Sequence, residues 1–284
     1  MSAQNKTGGR ICIIAAALLW GLAGVCVKSI EWNTMQLVCA RSLLSFLVLL
    51  AYKRSLRVSL SRENLFGALM MSATGLLYVQ AIKLTTAGTA IVLQYIAPIL
   101  VFLYSVLFKG EKARPVEICI TAAVFGGIVL SFADSLDVTH VIGNLLALLS
   151  GFTFAAQIIA MNSAKANSED GLLISCVLSF LIAIPFVLSG AAPVFDAKNI
   201  FWVLVLGVFQ YGLANVMFGI GIKKISAVES SLLLTLEPVF NPIPVALFCG
   251  EIMGLKAIIG SVIVIAGLLL YMLVTNQNMN KSAA

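Results

Sequence analysis

Ten apolar stretches of membrane-crossing length, divided by short polar segments, take up most of the chain. A helix needs about 20 mainly apolar residues to cross a bilayer. Windows of that kind fall at roughly residues 11–30, 33–52, 65–83, 87–108, 116–132, 141–161, 171–190, 200–221, 226–248 and 254–275, numbered here span one to span ten. The fifth is the shortest. The connections are too short for a soluble domain, so the pattern predicts an all-α integral membrane protein of ten transmembrane helices. The first window, "ICIIAAALLWGLAGVCVKSI", lacks an A-x-A-like cleavage site and is expected to stay as a span.

Composition agrees with the pattern. Of 284 residues, 61% are hydrophobic and 11% charged, where soluble domains carry about 25% charge. Mean hydropathy is +1.05. The net charge of +6 reads as sidedness rather than as nucleic-acid binding, because Lys and Arg collect in cytoplasmic loops. With the N-terminus inside, 13 of the 18 basic residues fall in inside segments, densest in "YKRSLR" and "KGEKAR". Four fall outside (Lys28, Lys83, Lys198 and Lys256) and Arg41 lies within span two. Both termini are therefore expected in the cytoplasm.

The chemistry of catalysis is missing from the pattern. The six cysteines lie in or beside apolar segments without a C-x-x-C pair, and His140 is the single histidine. No metal site, disulfide framework or cofactor is expected. No H-E-x-x-H or G-x-S-x-G occurs, so no catalytic residue is assigned and an intramembrane enzyme is disfavoured. A non-transporting receptor or scaffold stays open as an alternative, but it has no need of the next feature.

Residues 83–111, "KLTTAGTAIVLQYIAPILVFLYSVLFKGE", align without gaps on 223–251, "KKISAVESSLLLTLEPVFNPIPVALFCGE", at an offset of 140, with 8 of 29 positions identical. The matches include Lys83 with Lys223, Pro98 with Pro238, and Gly110-Glu111 with Gly250-Glu251. The chain thus divides into residues 1–137 and 138–284, five spans each. Five is odd, so the second half is expected to enter the membrane upside down. Inverted repeats are a mark of secondary transporters, in which substrate sits between the halves.

"LLWG" in span one, "CARSLLSF" in span two, "LQYIAPILVFLYSVLFKGE" in span four and "TLEPVFNPIPVALFCGE" in span nine resemble the drug/metabolite transporter superfamily, EamA type. A proline twelve positions before a Gly-Glu pair, once per half, is the most specific part. The resemblance implies a bacterial inner-membrane carrier that exports an amino acid or another small metabolite. An exporter of drugs or lipophilic cations is the alternative within the superfamily. The small four-span multidrug exporters of that superfamily carry an essential glutamate in their first span. Here span one has no carboxylate, so that mechanism does not carry over.

Polar residues deep in the spans are the candidate substrate ligands, since intramembrane polar groups must face protein or a wet cavity. Arg41 is either a fork for a substrate carboxylate or a bolt to a helix-end carbonyl or an acidic side chain. Glu237 is either a protonatable site or cation ligand, or a hydrogen-bonded lock between helices; Arg41, Asn215 and substrate are its candidate partners. Its counterpart in the first half is Ala97, so the carboxylate belongs to one half while the proline kink belongs to both. Pro98, Pro238, Pro242 and Pro244 are the candidate hinges, because each proline leaves a carbonyl four residues back without its donor; for Pro238 that carbonyl is Leu234. Trp20, Tyr78, Gln94, Tyr95, Gln157, Tyr211 and Asn215 complete the candidate site, with Gln80, Gln210 and Asn241 as further polar residues in the spans. Partners are a small-molecule substrate, the lipid bilayer and protons as a candidate coupling ion, with no nucleic acid. One chain holds both repeats, so a monomer is sufficient; a dimer stays open. The glycines at 21, 24, 126, 127, 207, 212, 219, 221, 260 and 267 are read as close helix contacts.

Overall fold

The computed structural model describes residues 3–85, 87–110, 114–134, 136, 138–249 and 254–283. Glu111, Gly250 and Glu251, which end the repeated motif, lie outside the described residues. Nine helices among those described have the length and hydropathy to cross a membrane: Asn5–Ser29, Thr34–Lys53, Arg62–Leu84, Gly88–Phe108, Val141–Asn162, Ser168–Ser189, Ala197–Gly221, Ala227–Phe248 and Leu255–Val274. The tenth, Pro115–Ser131, has 17 residues, which at about 1.5 Å per residue is about 26 Å, slightly short of a hydrocarbon core. The expected ten spans are all present, with the fifth the shortest. No strand occurs among the described residues.

Several spans begin a few residues earlier than hydropathy places them, because polar caps extend the helices. Ser61 accepts from the Asn64 amide, Asn167 from Glu169 and Asp170, and Asp196 from Asn199. Asn33 and Gln36 form a reciprocal capping box at 3.0 and 2.9 Å. Such caps satisfy amides that no helical turn can serve.

Three spans are discontinuous. Span one breaks between Ala3–Trp20 and Ala23–Ser29. Span four breaks between Ala87–Gln94 and Ala97–Phe108, just before Pro98. Span nine runs as Ala227–Leu233, Leu236–Phe240 and Pro242–Cys249, with Pro238 and Pro242 opening the later pieces. Pro98, Pro238 and Pro242 thus lie within a few residues of a break, whereas Pro244, also expected as a hinge, lies inside the continuous piece Pro242–Cys249. Span eight holds a π-helical stretch, Val205–Leu213, that hydropathy does not mark; π segments are frequent at functional sites.

Packing follows an exchange rule between the halves. Span three packs on span six, and span eight on span one; span three packs on span seven, and span eight on span two. Spans two and seven pair, as do five and ten. Each contact maps onto another, or onto itself, when a span is replaced by the one five places along. Glycine permits the closest crossings: a Cβ at Gly207 would lie 2.5 Å from the Leu44 side chain, and one at Gly127 would lie 2.9 Å from the Gly260 carbonyl. Gly126 departs from the expectation. A Cβ there would meet nothing within 4 Å, because it sits on the outward face of span five.

Candidate functional site

A cavity opens where spans one, two, three, four, six, eight and nine converge. Its wall comprises Trp20, Ala23, Val27, Arg41, Met71, Thr74, Gly75, Tyr78, Val79, Ile82, Gln94, Phe154, Gln157, Leu206, Gln210, Tyr211 and Glu237. It has about 80 Å³ of room for the centres of water-sized spheres. One water needs roughly 10–15 Å³ on that measure, so a small solute fits. The wall rises to Val27 and Ile82, which stand within three residues of the helix ends at Ser29 and Leu84. The cavity thus extends toward the face where spans one and three end.

Arg41 enters the cavity from span two. It is buried, its guanidinium carbon lies 4.6 Å from the centroid of the Tyr211 ring, and it makes no ion pair with Glu237 among the described residues. Gly75 on span three makes room for it: a Cβ there would sit 2.5 Å from Nη2. Sequence reading missed Gly75, since a glycine within "SATG" carries no mark of what it faces.

Glu237 is buried on the opposite side, in the short middle piece of span nine. Its partner is neither Arg41 nor Asn215 but Tyr95, whose hydroxyl oxygen lies 2.7 Å from Oε2. The same hydroxyl lies 2.8 Å from the Leu234 carbonyl, the acceptor that Pro238 leaves without its usual donor. Tyr95 is fully buried and stands behind the cavity wall. Asn215 is likewise fully buried off the wall, and neither of its amide atoms has a well-formed hydrogen bond. The other seven candidates (Trp20, Arg41, Tyr78, Gln94, Gln157, Tyr211 and Glu237) come together around one space. Asn241 ties span nine to the break in span one through the Gly21 carbonyl at 3.1 Å.

Three buried polar atoms of wall residues have no protein partner: Trp20 Nε1, Arg41 Nε and Gln210 Oε1. Leaving a buried polar group unpaired costs about 1–3 kcal/mol, and among the described residues these three atoms belong to side chains of one cavity wall. Two are donors and one is an acceptor. With Glu237, the cavity has donors for an anionic group and acceptors for a cationic one.

The opposite face is closed in layers. Trp20 stacks obliquely on Phe218 at 5.3 Å and meets Phe154 edge-on at 6.1 Å; Phe154 meets Tyr95 at the same distance. Ile13, Ile158, Met161, Leu172 and Ile222 are fully buried behind these rings. Beyond them Arg10 Nε lies 2.5 Å from Glu229 Oε1 with both side chains buried, and Lys53, itself partly buried, pairs with the buried Asp170. Asn162 donates to the carbonyls of Ile222 and Ile225, and Lys223 Nζ to those of Ser163 and Ala166. Partial burial lowers the proton affinity of the Lys223 ammonium from its ordinary range. Arg10 reads in the sequence as a loop cation; only the fold brings it to Glu229, 219 positions away. At the other face, Lys198–Glu31 and Lys256–Asp134 are exposed pairs.

The profile of the EamA-like transporter family matches twice, over residues 7–133 and 141–273. The chain belongs to the EamA-like transporter family. One EamA match lies within residues 1–137 and the other within residues 138–284. Relatives include an uncharacterized transporter of Archaeoglobus fulgidus, 24% identical over 92% of this chain and 95% of that one. The threonine/homoserine exporter RhtA of Salmonella typhimurium LT2 is 27% identical over 74% of this chain and 72% of its own. RhtA of Escherichia coli K12 is 24% identical over the same shares. A crystal structure superposes with a TM-score of 0.83 over 96% of this chain and 99% of that one; at 18% identity it shows the fold alone. This EamA chain is therefore a multi-pass membrane transporter.

Proposed function

We propose that the protein is a secondary exporter of a small amino-acid-like zwitterion, working by alternating access across the bacterial inner membrane. The single observation that carries this reading is the set of unpartnered polar atoms, Trp20 Nε1, Arg41 Nε and Gln210 Oε1, in a cavity that also holds Glu237. A substrate carboxylate takes the Arg41 and Trp20 donors, and an ammonium takes Gln210 Oε1 and Glu237. The names of the RhtA relatives point to the same class. Protons are the proposed coupling ion. Both termini face the cytoplasm, which follows from the basic-residue bias, and the halves are related by inversion in the membrane plane, which accords with the exchange rule in packing. The closed face then looks into the cell. One chain supplies the whole cavity wall, so the proposed working unit is a monomer.

A lipophilic cation fits less well, because it meets the buried Arg41 guanidinium in a space with no ion pair to neutralise it. Counterflow into proteoliposomes separates the readings. The test uses labelled L-threonine and homoserine, a panel of other amino acids, and tetraphenylphosphonium. Counterflow of an amino acid that Arg41→Lys raises in KM supports the proposal, since a lysine cannot form the two-bond fork. Counterflow of the phosphonium alone overturns it.

A further inference from the structure

We infer that the Tyr95 hydroxyl ties the two proline-broken spans to each other, and that its bond to the Leu234 carbonyl at the break in span nine forms only while Glu237 carries a proton. This rests on the proposed role of Glu237 as a cavity carboxyl that meets substrate or the coupling proton.

The breaks in spans four and nine fall at Tyr95–Ile96 and Leu234–Thr235, each just before the proline that the two halves share. They meet through one atom. Tyr95 Oη lies 2.8 Å from the Leu234 carbonyl and 2.7 Å from Glu237 Oε2. The Leu234 carbonyl also accepts the Glu237 amide at 2.9 Å. A phenol has one hydrogen, and an ionised carboxylate only accepts. With Glu237 ionised, that hydrogen goes to the carboxylate, and the Leu234 carbonyl is left facing phenol lone pairs at a bonding distance. With Glu237 protonated, its O–H donates to Tyr95 Oη and the Tyr95 O–H donates to Leu234. Every contact then has one hydrogen. The two short contacts of the phenol oxygen are both satisfied when the carboxyl is protonated.

Loss of the proton balances simply. Glu237 lines the cavity, so the proton passes to cavity water or to a base there. The Tyr95 hydrogen turns from Leu234 to the new carboxylate, and the link between the two breaks becomes an oxygen–oxygen repulsion. Tyr95 then holds span nine through the Glu237 carboxylate, three residues past the break, by a charge-assisted bond, and the Leu234 carbonyl at the break itself loses the phenol donor. Other groups facing this point are Arg41 on span two, Tyr78 on span three and Tyr211 on span eight. Spans one and six add no titratable group to the wall, and of spans five and ten, packed on residues 236–240, the buried titratable side chain described is Tyr271. Among the described wall residues Arg41 is thus the one permanent charge, and Tyr95 is a positioning residue that acts through Leu234.

Infrared difference spectroscopy of the full chain in lipid bilayers, titrated with pH in the absence of substrate, tests this. The expected result is a carboxylic-acid carbonyl band at neutral pH that Glu237→Gln removes. Tyr95→Phe, which keeps the ring but not the hydroxyl, should leave the band in place and shift it to higher frequency as its hydrogen bond is lost. A neutral-pH spectrum without such a band, or a band that Glu237→Gln leaves intact, overturns the proposal. So does an unshifted band in Tyr95→Phe, which decides the matter alone should Glu237→Gln not fold. Because no substrate is present, failure of amino-acid counterflow leaves this measurement valid, and successful counterflow without the band refutes only this inference.

Discussion

Gly75→Ala tests whether the seat of Arg41 governs substrate binding. A Cβ at position 75 would stand 2.5 Å from Arg41 Nη2, where ordinary contact begins at 3.4 Å. The guanidinium must therefore shift by about 0.9 Å. It cannot swing to solvent, because it is buried and the Tyr211 ring lies 4.6 Å from its Cζ on another side. Paired bonds to a carboxylate have a narrow range, about 2.7–2.9 Å, and do not survive such a shift. A lost hydrogen bond to a charged group costs about 1.5–3 kcal/mol, or about 10- to 150-fold in affinity at about 1.4 kcal/mol per tenfold. KM for whichever amino acid shows counterflow should rise by that factor, with thermal stability measured in parallel to confirm folding. Gly126→Ala, where a Cβ meets nothing within 4 Å, is the control and should keep the wild-type KM. An unchanged KM in Gly75→Ala, or an equal rise in the control, refutes the reasoning.

Three further outcomes follow from the geometry. Glu229→Gln removes the carboxylate charge from the buried Arg10–Glu229 pair, and losing one member of such a pair is destabilising by up to about 3–5 kcal/mol; Tm should fall and a cysteine placed at Ile13 should become open to maleimide, and protection equal to that in wild type counts against the closed-face assignment. Trp20→Phe keeps the contacts with Phe154 and Phe218 but removes the Nε1 donor, worth about 0.5–1.5 kcal/mol for a neutral bond; KM should rise about 2- to 10-fold at unchanged Tm, and no rise means the donor is unused. A C-terminal reporter active only in the cytoplasm should report activity; an extracellular C-terminus sinks the proposed orientation.

The ten spans were legible because hydropathy is a local property, and the repeat because Pro98 and Pro238 keep their spacing from Gly-Glu. Glu237 and Arg41 stood out as rare charges in apolar runs. Their partners did not. Tyr95 and Glu237 are 142 positions apart, and nothing near either residue names the other. Gly75 matters for the side chain it admits, and Asn215 looked like a ligand only because a buried amide and a wall amide are the same letter in a sequence. The π-helical turn in span eight changes register without changing hydropathy, so it was invisible. Local signals marked which residues were unusual; the fold decided which of them meet.

The two faces are closed by unlike means, and this bears on when the protein works. Exposed ion pairs such as Lys198–Glu31 contribute about 0–1 kcal/mol, whereas Arg10–Glu229 is buried and Lys53–Asp170 partly so, and both must be broken to open the face that carries them. In the proposed orientation that face looks into the cell, so the inward-open form is the rarer one. A ligand's apparent affinity falls in proportion to the fraction of molecules able to bind it, and each about 1.4 kcal/mol of bias raises the required concentration tenfold. Such a carrier stays idle at ordinary metabolite levels and discharges only a swollen pool. As the proposed exporter it behaves as a relief valve, with a threshold set by how firmly Arg10 and Lys53 hold shut the face proposed to look inward.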